Sequence, residues 1–173
     1  TIAGNMSFGV IARGGNDSLV SFAGLSNLST IGGNFTLRSN SSLPSLEGLN
    51  NLTSIGGDVS INRNGLIQNL RGLNNLQSVG GFFIVSDSPS LTSLEGLNSL
   101  VSVGSYLQIG GPGGNFGGND SLISLQGLES LSSIGGPRII ANDALVSIDT
   151  LSGLSPFSGD LSISTNDSLA TLQ

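Results

Sequence analysis

The stretch NFTLRSNSSLPSLEGLNNLTSIGG, residues 34–57, is followed without a gap by two more of the same design, 58–81 and 82–105, so the chain repeats with a period of 24 residues. Within the first of these, Phe35 and Leu37 alternate with Thr36 and Arg38, the pattern of a short strand with one buried face. Val59/Ile61, Phe83/Val85, Leu107/Ile109 and Leu161/Ile163 repeat the alternation, which predicts a parallel sheet built from successive units. The spacing of Leu46, Leu49, Leu52 and Ile55 bends the chain about every third residue and suits tight turns or a single 3₁₀ turn. Gly56-Gly57 closes the unit, where a positive φ is expected at least cost.

Working outward, residues 5–33 carry the unit with about five extra residues, 106–136 with about seven, 137–159 is one short and 160–173 is a partial unit. All 173 residues therefore read as one array of about seven turns, a β-class solenoid. One turn cannot bury its own apolar side, whereas stacked turns share a continuous core. At about 4.8 Å per strand the rod is on the order of 30 to 35 Å long.

Composition excludes several classes of function. Charged residues are 9% of the chain, the net charge is −6, and five Lys and Arg are too few to neutralise a nucleic-acid backbone. No apolar run reaches the roughly 18 residues of a membrane span. With no His and no Cys, the familiar nucleophile–base pairs and transition-metal clusters cannot be assembled, so the chain reads as non-enzymatic and without a cofactor. Cysteine usage gives no redox compartment. The chain opens at Thr1 with neither an initiator Met nor a signal sequence, and is read as a processed or excised piece of a longer precursor.

Identical residues at one repeat position fall on top of one another. Asn16, Asn40, Asn64, Asn119, Asn142 and Asn166 are thus expected to form a stacked structural ladder of side-chain amides. Ser21, Ser45, Ser93, Ser124 and Ser147, and separately Ser54, Ser78, Ser102 and Ser133, form columns whose hydroxyls suit capping of bends. Glu47, Arg71 and Glu95 share a third column, read as a solvated charge ladder rather than a catalytic carboxylate pair. Asn119-Asp120 and Asn142-Asp143 are too sparse for a calcium loop, and Gly110–Gly118 lacks the Lys and Ser/Thr of a phosphate-binding loop.

Candidate partner surfaces are few. Phe82 and Tyr106 occupy one outward position in neighbouring turns, an aromatic step suited to a sugar ring or a protein. Insertions at 9–15 and 110–118 leave one edge of the rod and offer Arg13, Asn115 and Phe116 to a ligand. The outward strand column Ser7, Thr36, Ser60, Ile84, Gln108, Ile139, Ser162 is too irregular for a strong ice-binding face. Eight Asn-x-Ser/Thr triplets occur, and Asn5, Asn27, Asn34 and Asn51 are the candidate glycosylation acceptors in a eukaryotic secretory pathway.

The segments NLTSIGGDVSINRN, SLTSLEGLNSLVSVG and NDSLISLQGLESLSSIGG give the chain a resemblance to receptor L-domain and related leucine-rich repeats. That resemblance covers essentially the whole chain. It implies a right-handed leucine-rich-repeat β-helix, an extracellular or cell-surface location, and adhesion, wall architecture or ligand display without catalysis. Departures from the pattern are the missing cysteines, Arg138 at a position apolar in other turns, and the absence of a recognisable end cap. Raw ends predict either neighbouring repeats of a longer chain or copies stacked end to end as a structural filament. Surface recognition of a glycan or protein is the alternative function.

Overall fold

The computed structural model describes residues 1–9, 15–111, 117–154 and 157–171. Helix among them is confined to two 3₁₀ turns, Ala23–Leu25 and Asp149–Leu151. The strands in chain order are β1 (Met6–Phe8), β2 (Thr30–Ile31), β3 (Phe35–Arg38), β4 (Ser54–Ile55), β5 (Val59–Asn62), β6 (Ser78–Val79), β7 (Phe83–Ser86), β8 (Ser102–Ile109), β9 (Ser133–Ile140) and β10 (Ser162–Ser164). Every pairing is parallel.

Two ladders of short strands run side by side, β1-β3-β5-β7 and β2-β4-β6, both meet β8, and β9 and β10 complete one ten-stranded sheet. They meet there because β8 and β9 run straight through the glycine corner that separates the short strands elsewhere. Like stacks on like: Phe35 lies opposite Val59, Val59 opposite Phe83 and Phe83 opposite Leu107.

Every apolar position of residues 34–57 is buried, and Leu43, Leu46, Leu49 and Leu52 are wholly inaccessible. Full burial of each such side chain is worth about 1.5–3 kcal/mol relative to exposure. The leucine spacing closes successive three-residue turns: Leu49 N–H donates to the Leu46 carbonyl at 3.2 Å and Leu52 N–H to the Leu49 carbonyl at 2.9 Å. Leu161 departs from its expected inward role and is 53% exposed, because no further strand among the described residues lies beyond β10 to cover it.

Glycine does different work from that expected. The Gly56-Gly57 corner has no positive φ; it is glycine because a Cβ on Gly56 would lie 2.4 Å from the Gly32 carbonyl oxygen of the neighbouring unit. Among the described glycines positive φ falls instead at Gly48, Gly72, Gly96 and Gly127, between the leucines, and at Gly9 and Gly110. There both constraints coincide, since φ at Gly72 is 110° and its Cβ would sit 2.0 Å from the Leu46 carbonyl oxygen.

Pairing slips once. Val103 lies opposite Ile134 but Tyr106 lies opposite Gly136, so Gly104 and Ser105 of β8 face the single residue Gly135 of β9. Beyond this bulge Gln108 pairs with Arg138 and Ile109 with Ile139. Arg138 is therefore the exposed, outward residue and Ile139 belongs to the core, which reverses the sequence expectation for both. The residue by which 137–159 falls short is accounted for by this bulge, which lies before Pro137.

Candidate functional site

The most regular polar feature is the asparagine column. The Asn40 side-chain oxygen accepts from the Asn16 N–H at 3.2 Å, that of Asn64 from the Asn40 N–H at 3.1 Å, that of Asn142 from the Asn119 N–H at 3.3 Å, and that of Asn166 from the Asn142 N–H at 2.9 Å. Asn40, Asn64, Asn119 and Asn142 are wholly buried. Between Asn64 and Asn119 the position is held by Ser88, whose N–H donates to the Asn119 side-chain oxygen at 3.2 Å. All these bonds point the same way along the array.

The residue before most ladder positions is in the left-handed region without being glycine: Ser39, Arg63, Asp87, Ala141 and Thr165 have φ between 51° and 58°. Such a conformation costs about 1–2 kcal/mol. The ladder side chain clamps it by bonding back across the kink, from Asn40 Nδ2 to the Arg38 carbonyl and from Asn64 Nδ2 to the Asn62 carbonyl, both at 3.0 Å. The same amides reach the neighbouring unit, with Asn64 Nδ2 also 3.0 Å from the Leu37 carbonyl. Asparagine suits this position because it offers two donors and an acceptor on one short arm.

Two further columns were not read from the sequence. Asn5, Asn34 and Asp58 accept in turn from the N–H groups of Asn34, Asp58 and Phe82 at 2.7, 2.8 and 3.0 Å, bridging the corner after Gly-Gly. Asn50, Asn74, Asn98 and Glu129 each accept from the N–H of the positive-φ glycine two residues earlier. The G-L-N spacing was the available signal for the second. The expected serine caps are present at Ser21, Ser45, Ser124 and Ser147, which accept from the N–H two residues on.

In the charge column Arg71 bonds Glu95 at 2.7 Å in the open, and that hydrogen bond raises the guanidinium pKa above its ordinary value. A second cross-unit pair joins Arg63 and Asp87 at 2.8 Å. Among the described residues no group of three or more acidic side chains is arranged to hold a metal, and no helix is long and apolar enough to cross a membrane.

The aromatic step exists, with the Phe82 and Tyr106 rings stacked at 5.3 Å between centroids and 16° between planes. The Arg138 guanidinium lies over the Tyr106 ring at 4.2 Å. Tyr106 is thus covered on both faces and offers none to a stacking sugar. Arg13, Asn115 and Phe116 lie outside the described residues. Of the candidate glycosylation sites, Asn5, Asn27 and Asn51 are exposed and Asn34 is half-buried. Asn51 Nδ2, the atom a glycan would take, already donates to the Ser26 carbonyl at 2.7 Å. Asn5 and Asn34 use only their oxygens in the bonds above.

No family model matches this chain, and no curated protein or solved structure matches it either.

Proposed function

We propose that the chain is a non-enzymatic, extracellular structural or adhesive repeat protein, a right-handed solenoid with 24-residue turns related to receptor L-domain leucine-rich repeats. Its work is to extend, by stacking on neighbouring repeats of a longer chain or on further copies end to end in a filament. One observation carries this reading: the asparagine column has a single polarity. Each unit presents a side-chain oxygen to the unit before it and an N–H to the unit after it. A surface of that kind is completed by another of the same kind in the same direction, which gives a heterologous, non-closing contact. The open strand edges of β1 and β10 have the same complementarity.

Electron microscopy of purified material tests the proposal. Rods far longer than the on-the-order-of 30 to 35 Å expected of one array support a structural fibre. Compact particles at all concentrations sink end-to-end association and leave the alternative reading, a surface module that recognises a glycan or protein.

A further inference from the structure

We propose that the pocket between β8 and β9 at Tyr106 and Arg138 binds an acidic sugar unit, with its carboxylate on the Arg138 guanidinium and its hydroxyls on Asp160 and Ser105. This site stands whether or not the array continues into another copy. The pocket, about 230 Å³, is lined by Ser105, Tyr106, Gly136, Arg138, Gly159 and Asp160. That is below the roughly 300–1,000 Å³ of sites for drug-sized ligands, and it suits a single ring.

Its shape comes from the bulge. Two residues of β8 against one of β9 re-aim the strand at Ser105 and Tyr106, and such bulges commonly turn a side chain toward a site. The chemistry comes from Arg138. Arg63 and Arg71 each bond a carboxylate, whereas Arg138 has no acidic partner among the described residues, although Asp160 lines the same pocket. The Phe82–Tyr106 stack supports its guanidinium from below at 4.2 Å. A fork already held over a ring loses less rotamer freedom when it closes on a planar carboxylate. An unpaired guanidinium beside an unpaired carboxylate is complementary to a ligand carrying both an anion and hydroxyl donors. A bare anion meets repulsion from Asp160 and from a net charge of −6, and a neutral sugar leaves the Arg138 fork unmatched.

The test is an NMR titration of ¹⁵N-labelled protein with D-glucuronate, acetate and D-glucose separately. Glucuronate is expected to saturate in the millimolar range and to shift the amides of Ser105, Tyr106, Arg138 and Asp160, with acetate and glucose about tenfold weaker. R138Q is expected to weaken glucuronate about tenfold, R138K to weaken it as well while keeping the charge, and D160N to weaken glucuronate but not acetate. Absence of shifts, binding unchanged in R138Q, acetate binding as tightly as glucuronate, or D160N strengthening both would each overturn the proposal. R138K covers the case in which R138Q fails to fold.

Discussion

The side-chain oxygen of Asn64 accepts a hydrogen bond from the backbone N–H of Asn40, 3.1 Å away, while the Asn64 Nδ2 donates to the carbonyls of Asn62 and Leu37. One buried amide therefore holds its own kink and ties it to the neighbouring unit.

Replacing Asn64 by Ala leaves the Asn40 N–H without its acceptor in a region without solvent, at about 1–3 kcal/mol, and also removes the donor to the Leu37 and Asn62 carbonyls, of which Asn62 keeps the Ser39 N–H. Denaturant unfolding should show Asn64→Ala destabilised by several kcal/mol. Asn64→Asp should be nearly as damaging, because an ionised carboxylate accepts from Asn40 and donates to neither carbonyl. An Asp variant as stable as the parent would refute this account of the ladder.

Glycines that look alike in the sequence should separate cleanly. Gly72→Ala meets both a φ of 110° and a backbone oxygen 2.0 Å from the new Cβ, whereas nothing lies within 4 Å of a Cβ on Gly65. Thermal unfolding should place Gly72→Ala far below the parent. Gly65→Ala, outside the positive-φ region, should be neutral or gain about 0.4–1 kcal/mol from reduced unfolded-state freedom.

Ser88 is the one break in the buried amide column between Asn16 and Asn166, and its hydroxyl reaches only the Ser86 carbonyl, at 3.3 Å. Its neighbour Asp87 already has the left-handed φ of 53° that precedes an asparagine elsewhere. Ser88→Asn should restore the column and raise the melting temperature, by about 1 kcal/mol in stability. A fall would mean that the pocket around this position does not admit the larger side chain.

Expression through a eukaryotic secretory pathway should place glycans at exposed Asn27 and leave wholly buried Asn40 and Asn119 bare. Asn51 should be occupied less than Asn27, since a glycan there displaces its bond to Ser26. Peptide mass spectrometry after deglycosylation reads the sites directly, and modification of Asn40 in folded protein would contradict its burial.

The parallel strands, the buried leucines and most of the asparagine column were legible because a 24-residue offset puts the same chemistry in the same place each time. Where the offset changed, the sequence misled. Arg138 and Ile139 were exchanged because a missing residue can be placed on either side of Gly136 at equal cost to the pattern, and only strand pairing decides. The corner glycines were misread for another reason. Close approach to a backbone in the next unit leaves no mark within a single repeat, so Gly56 and Gly48 look equivalent although only Gly48 has positive φ. The Phe82–Tyr106 pairing was visible as shared repeat position, but its cover by Arg138 depended on the same slip.

The aligned amide bonds also carry an electrical consequence. Each ladder N–H points toward the unit that follows, so the small dipoles add instead of cancelling, as they do along a helix. Taken by itself, this amide column has its partial negative end at Asn16 and its partial positive end at Asn166, while the Asn5–Asn34–Asp58 corner column, whose N–H groups point toward the unit before, is opposed to it.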